Sequence, residues 1–371
     1  MLKGKVVVYG IMGEGLGHAR RSQAIINRLV AAGHRVHVLT SGDAFTALKE
    51  SSYPDLHRVY SFSFIYESER IHHGLTLWRH APALLALLTG TGRAYQVTER
   101  LIRQLKPDCV ITDFEPYTAR IAQLLGIPLV SIDHQHILAD GRIPELDVPT
   151  RLAVRISDIV IRHIFRVDLV IVAGFYHFET RSTARIMRVY NILRDEIVGK
   201  PEASIGQHVT VYLKRHGYWE RVRKTLAALP SVQFQVFSDF SPLNVLEQIK
   251  SLNVEIFPIS DSLFVSSLKS CQALISTAGN QALGEATYLH KPVLCFPEPN
   301  AFEQEINGRA LEATGAGRVV ELEHLDARTI EAFLSDLDRY RERIKEYLST
   351  RPDFNATKQV VDIINGVLAA G

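Results

Sequence analysis

At 371 residues the chain exceeds the usual single-domain range, so two domains are expected. An apolar content of 46% with 22% charged residues fits a soluble globular protein and excludes a disordered or fibrous one. The net charge of +2 combines 24 Lys+Arg against 18 Asp+Glu in residues 1–195 with 18 against 22 in residues 196–371, a bias too weak to argue for nucleic acid. The basic first half suits an anionic acceptor or a membrane surface, or is ordinary surface variation.

Cys109, Cys271 and Cys295 lie in apolar runs without a CxxC pair, so reduced, buried thiols in a cytoplasmic protein are expected. Lys3-Gly4-Lys5 leads straight into Val6-Val7-Val8, too short an apolar run for a signal peptide. No stretch reaches the roughly 20 apolar residues of a membrane span. The expected location is cytoplasmic, with peripheral contact at the inner membrane face left open.

Short apolar strands alternate with helical patterns through the first half, which predicts a doubly wound, mostly parallel α/β sheet. Val6–Tyr9 and Val36–Thr40 read as strands, with a helix over Ala19–Ala32 stopped by Gly33. Residues 54–80 read as irregular and aromatic, with Tyr60, Phe62, Phe64, Tyr66 and Trp78. Pro82–Leu105 reads as one long helix. Cys109–Thr112, Leu129–Ile132 and Leu169–Val172 are expected strands, with helices over Thr118–Leu125 and Leu152–Phe165. The last of these carries Arg151, Arg155, Arg162 and Arg166, which suit anionic headgroups or are simply solvated.

Val189–Lys200 breaks the rhythm, and Gly199-Lys200-Pro201 reads as a linker. A second set of strands follows at Val209–Leu213, Phe234–Phe237, Val254–Phe257, Ala273–Ile275 and Val293–Phe296. Helices are expected at Trp219–Ala228, 262–269 and 280–289, then through 327–349 and 355–369. This divides the chain into residues 1–195, residues 196–349, and a tail over 350–371 expected to pack back on the first domain. Two such sheets in tandem are expected to face each other across a cleft at their strand C-termini.

The first strand runs into Gly10-Ile11-Met12-Gly13-Glu14-Gly15-Leu16-Gly17-His18. A dinucleotide fingerprint fits poorly, because the glycines run G-x-G-x-G and no acid precedes Asp43 at the end of strand two. Gly13, Gly15 and Gly17 instead suit the floor of an acceptor site, where backbone is approached closely. His18 at the following helix start suits a general base, with Asp113 at the end of the strand 109–112 as its orienting carboxylate. The plainer alternative is that both residues cap helices.

Residues 276–307 read STAGNQALGEATYLHKPVLCFPEPNAFEQEIN. Strand, Gly-containing turn and helix start make an anion cradle of free N–H groups and helix dipole. Glu285 lies inside that helix, where it suits ribose hydroxyls, and Glu303 and Gln304 suit a sugar. Together they suit a nucleotide-sugar.

With the Gly-x-Gly-His loop, this block resembles the two-domain GT-B UDP-sugar glycosyltransferases. These include the natural-product and glucuronosyl transferases and the peptidoglycan lipid-linked N-acetylglucosaminyltransferase. The nearest texture is that of a bacterial and archaeal branch. The likeness runs along nearly the whole chain, with specific motifs over about 50 residues. It implies that Thr277, Ala278 and Gly279 stand where the family's His-Cys-Gly turn binds diphosphate, with Asn280 and Gln281 assisting. It puts Glu285 on ribose, Glu303 and Gln304 on the donor sugar, and Val254–Ser260, with Phe257, at the base. His18 and Asp113 would be the catalytic pair. The family's phosphate-turn His is absent, two extra residues precede Glu303, and no uracil-stacking Trp is evident. Lys214 or Arg215 suits a phosphate contact or plain solvation.

The expected activity is inverting, metal-independent transfer from a UDP-sugar co-substrate to a hydroxyl acceptor, with a lipid-linked or glycolipid acceptor suggested by the aromatic segment 60–80. No other cofactor, no metal and no nucleic acid are expected. The rivals are a non-hydrolysing UDP-N-acetylglucosamine 2-epimerase, for which Glu115, Glu298 and Glu303 supply carboxylates, and a nucleotide-sugar-binding subunit without catalysis.

Overall fold

The computed structural model describes residues 4–50, 53, 55–67, 70–141, 161, 167–180, 185–198, 206–213, 216–239 and 253–370. The strands in chain order are β1 (Val6–Ile11), β2 (Arg35–Thr40), β3 (Leu56–Arg58), β4 (Tyr66–Glu67), β5 (Arg70–Ile71), β6 (Cys109–Asp113), β7 (Leu129–Asp133), β8 (Leu169–Ala173), β9 (Ile186–Val189), β10 (His208–Leu213), β11 (Gln233–Ser238), β12 (Val254–Pro258), β13 (Ala273–Ser276), β14 (Val293–Cys295) and β15 (Gly317–Val319). The chain forms two compact units, one from Met1–Ile65, His72–Arg194 and Asn355–Gly371, the other from Tyr66–Ile71 and Asp195–Phe354.

The first unit holds a seven-stranded sheet in the order β3-β2-β1-β6-β7-β8-β9, and every neighbouring pair is parallel. β6 and β7 are buried along their whole length, as β-branched strands covered on both faces must be. The order reverses between β1 and β6, and their register sets Ile11 beside Asp113. The helix Thr357–Ala370 also belongs to this unit. Thr357 Oγ1 accepts from Leu193 N and donates to Leu193 O, and Val360, Ile364 and Leu368 are buried.

The second unit holds six parallel strands in the order β12-β11-β10-β13-β14-β15, reversing between β10 and β13. Val209, Val211, Ala273, Ile275, Leu294 and Phe296 form the strand side of its core, and Trp219, Val222, Leu226 and Phe333 the helix side. The antiparallel pair β4 and β5 joins this unit, where Asn300 Nδ2 donates to Ile71 O. Both units are doubly wound α/β sheets, the class expected from the strand pattern.

Local expectations are corrected in four places. Pro82–Leu105 is two helices, His73–Thr89 and Arg93–Leu105. Gly90 and Gly92 break it, with φ of 69° and 86° that an L side chain resists. Pro82 lies inside the first helix rather than at its start. Residues 54–80, expected to be irregular, hold β3, the β4–β5 pair and the first turns of that helix. The tail 327–349 is interrupted at Asp336. β9 adds an edge strand just before the break expected at Val189. The linker Gly199-Lys200-Pro201, Lys214, Arg215 and, Ile161 apart, the helix Leu152–Phe165 with its arginines lie outside the described residues.

All three cysteines are buried and free, and burial pushes the Cys109 thiol up to about 12, so it is inert. Among the described residues no helix is long and apolar enough to cross a membrane.

Candidate functional site

Ligands of doubly wound sheets bind outside the strand C-termini where the strand order reverses. In the first unit that position belongs to the loop after β1 and the end of β6. The loop ends at Gly15, which precedes the helix Leu16–Ala31, and His18 sits in its first turn. Asp113 is the last residue of β6 and has no exposure.

His18 Nδ1 lies 2.7 Å from Asp113 Oδ1. Arg21 grips the same carboxylate, Nη2 to Oδ1 at 2.6 Å and Nε to Oδ2 at 3.0 Å, and Ser22 Oγ donates to Oδ2 at 3.0 Å. Residues 18, 21 and 22 share one face of the helix, so all three reach one strand end. Burial alone would raise the Asp113 carboxyl. The charges of Arg21 and His18 and their hydrogen bonds outweigh it and hold the group below its usual range. An ionised carboxylate only accepts, so Nδ1 carries the proton and Nε2 is the basic nitrogen. Arg21 Nη2 also comes within 3.3 Å of Nδ1, as two donors sharing one acceptor oxygen. The amide Nε2 of Gln135 lies 3.2 Å from His18 Nε2, on the nitrogen that would take a proton. The His18 side chain is 15% exposed.

Gln135 follows β7 and sits between two more buried groups. Asp133 ends β7, accepts from the backbone N of His136 at 2.9 Å and meets His136 Nδ1 at 2.7 Å. Desolvation opposes ionisation of Asp133, but His136 and the hydroxyl of Ser131 outweigh it and hold the carboxyl well below its usual range. The ends of β1, β6 and β7 therefore carry one polar cluster. Sequence reasoning singled out His18 and Asp113 and missed Arg21, Ser22, Gln135, Asp133 and His136. The spacing of 18, 21 and 22 on one helix was the available signal for the first two.

Phe114, next to Asp113, has φ 56°, a left-handed conformation costly for a bulky residue. It turns the chain into the helix Pro116–Leu125, whose N-cap is Glu115. The Glu115 carboxylate accepts from Tyr117 N at 3.1 Å and Thr118 N at 2.7 Å. Both oxygens thus serve the helix end, which takes Glu115 out of the carboxylates available to an epimerase.

Part of the glycine loop answers to packing. A Cβ on Gly13 would meet Ser41 Oγ at 2.2 Å, and Gly15 has φ 80° with its N donating to Asp43 Oδ2 at 3.0 Å. Glu14 Oε2 accepts from Phe64 N at 2.8 Å, which ties the loop to the aromatic segment. Gly17 lies in the first turn of the helix.

In the second unit the reversal point brings β13 into the turn Thr277–Gly279 and the helix Asn280–Tyr288. Gly279 is the N-cap at φ −72° and ψ 125°, and a Cβ placed on it would meet nothing within 4 Å. The backbone here is open to a ligand. Asn307 Nδ2 donates to Ala278 O at 3.1 Å and lies 3.4 Å from Glu303 Oε1, so the Glu-Gln-x-x-Asn cluster braces the turn from the next helix, Phe302–Thr314. Gln304 Oε1 accepts from Glu298 N at 2.9 Å. Glu285 is fully buried and accepts from Gln281 Nε2 at 2.9 Å. Thr277 and Asn280 are each 5% exposed. Phe257 stacks on Phe237 with centroids 5.1 Å apart. Ser276 Oγ, at the end of β13, and Glu298 Oε1, in the segment that follows the neighbouring β14, are buried without a hydrogen-bond partner. Such atoms are uncommon and suit a polar ligand.

This fold matches that of solved glycosyltransferases. The calicheamicin glycosyltransferase CalG4 aligns over 100% of this chain and 99% of its own with TM-score 0.68 at 15% identity. The glycosyltransferase VinC, solved in complex with dTDP, aligns over 99% of this chain and 100% of its own with TM-score 0.62 at 15% identity. The fold is therefore that of the GT-B glycosyltransferases. Residues 5–338 match the profile of glycosyl transferase family 1, and the chain belongs to that family. It is a transferase. An uncharacterized glycosyltransferase of Methanosarcina mazei is 25% identical over 388 residues, covering 97% of both chains.

Proposed function

We propose that the protein catalyses inverting transfer of a sugar from a nucleoside-diphosphate donor to a hydroxyl acceptor. The observation that carries this reading is the 2.7 Å contact of His18 with Asp113 at the reversal point of the first sheet. His18 Nε2 takes the proton of the acceptor hydroxyl as its oxygen attacks the anomeric carbon. The bond from that carbon to the diphosphate oxygen breaks, and the electron pair leaves with the diphosphate. A single in-line displacement inverts the centre. Asp113 fixes the imidazole tautomer and steadies the imidazolium.

The leaving diphosphate is assigned to the turn Thr277–Gly279 with Asn280 and Gln281, where N–H groups and the helix dipole oppose its growing charge. Glu285, with Gln281, is assigned to the ribose, Glu303 and Gln304 to the sugar, and Phe257 to the edge of the base. The loop carrying Gly13, Gly15 and Gly17 is assigned to the acceptor, for which we propose a hydroxyl on a lipid carrier. UDP is the nucleotide implied by the family resemblance. The dTDP bound to VinC supports a nucleoside diphosphate but not one base. No metal has a role in this scheme, so turnover is expected to survive EDTA.

The test is His18→Ala in the full chain, assayed with a panel of nucleotide-sugars and hydroxyl acceptors. Transfer is expected to fall at least a thousandfold while nucleotide affinity, read by calorimetry, stays within twofold. Retained turnover removes His18 from the role of base.

A further inference from the structure

The helix His73–Thr89 is built inside out. Its large apolar residues face solvent: Leu77 is 59% exposed, Trp78 79%, Leu85 63% and Leu88 40%, with Ala81 also exposed. At 3.6 residues per turn these five fall within an arc of about 100°. The opposite face holds the helix to the protein. Thr76 Oγ1 accepts from Ile65 N at 2.9 Å, His80 Nε2 lies 2.9 Å from Ser63 O, and Leu87 is fully buried. A surface helix ordinarily shows the reverse pattern, and a contiguous exposed apolar stripe marks a contact site.

Charge selects the partner. From Ile71 to Thr98 the sequence has no Asp or Glu, while Arg79 and Arg93 are exposed within that stretch. The stripe from Leu77 to Leu88 is about 16 Å long, too short to cross a bilayer and suited to lying in its surface. A tryptophan in an apolar face flanked by arginine matches the interfacial zone of a membrane, where indole prefers the headgroup level and guanidinium the anionic lipids.

We propose that this face docks the protein onto a membrane surface containing anionic lipid. The proposal is independent of the role given to His18, because vesicle binding is read without turnover. It also differs in place from the arginine-bearing segment 151–166.

The experiment is flotation of the full chain with phosphatidylcholine vesicles, with and without phosphatidylglycerol, at low and high salt. Binding to the anionic vesicles is expected at low salt. Of the two tryptophans Trp219 is 1% exposed, so a blue shift of emission on adding vesicles reports Trp78. The double variant Trp78→Ser/Leu85→Ser changes only exposed positions and is expected to keep its melting temperature while its bound fraction drops tenfold or more. Arg79→Glu is expected to weaken the preference for phosphatidylglycerol. Failure of the intact chain to float at low salt overturns the proposal, as does undiminished flotation of the double variant. A concentration-dependent dimer that the double variant dissolves, with vesicles ignored, assigns the face to a second copy instead.

Discussion

His18 Nδ1 stands 2.7 Å from Asp113 Oδ1, and Arg21 reaches the same oxygen from the same helix at 2.6 Å. The carboxylate thus binds an arginine as well as the imidazole, and Arg21 and Asp113 are both buried. Removing one partner of a buried pair strands the other. Asp113→Asn is therefore expected to lose about 3–5 kcal/mol of stability, more than an orienting residue alone would cost. Adding Arg21→Met to Asp113→Asn is expected to recover much of that stability in thermal unfolding, but not turnover, because the imidazole still lacks its anion. Recovery of both would make the carboxylate purely structural.

Arg21 also holds the carboxylate that orients the proposed base, with two prongs on Asp113. Arg21→Gln leaves that carboxylate to His18 and Ser22. Turnover is expected to fall about tenfold or more in Arg21→Gln while nucleotide affinity by calorimetry stays within about twofold, and to fall less in Arg21→Lys, which keeps the charge but loses the two-pronged grip. An unchanged kcat in Arg21→Gln separates Arg21 from the positioning of the base.

The fold was legible where burial is two-sided. Val6–Tyr9, Cys109–Thr112 and, Ser131 apart, Leu129–Ile132 are continuous β-branched or apolar runs bounded by Gly, Pro or Asp, and each is a central strand. The edge strand β9, Ile-Met-Arg-Val, is half exposed and short, so no period marks it. The bounds of the helix His73–Thr89 are not legible, because a proline and outward apolar residues mask its inner face. At the candidate site the meeting of His18 and Asp113 was legible, since parallel strands deliver their C-termini and the loops that follow them to one edge. Gln135 and His136 were not legible, because their meeting with His18 and Asp133 depends on how β7 leaves the sheet. Gly13 was legible as a close approach, but the group approaching it is Ser41.

Gly279 separates packing from binding. Its φ of −72° is open to any residue, and a Cβ there meets nothing within 4 Å. Gly279→Val is expected to cost under about 1 kcal/mol in stability, the scale of a lost N-cap preference. Its isopropyl group would occupy the space in which the proposed diphosphate meets the turn. Nucleotide affinity by calorimetry is expected to fall tenfold or more with the melting temperature little changed. Unaltered affinity would move the diphosphate away from this turn.

Glu115 makes stability depend on pH in a defined direction. Burial raises its carboxyl from 4.5 to about 7, even though the N–H groups of Thr118 and Tyr117 favour the charged form. The folded protein thus binds this proton more tightly than the unfolded chain does. The contribution is fully present below about pH 4.5 and is lost as pH rises toward 7, in total about 3 kcal/mol. Glu115→Gln keeps an oxygen to cap the helix but cannot titrate. Its melting temperature is expected to lack the decline between pH 5 and 7 that Glu115 contributes to the native protein. Parallel pH profiles for the two proteins would show that Glu115 stays ionised throughout, held by the helix end it caps.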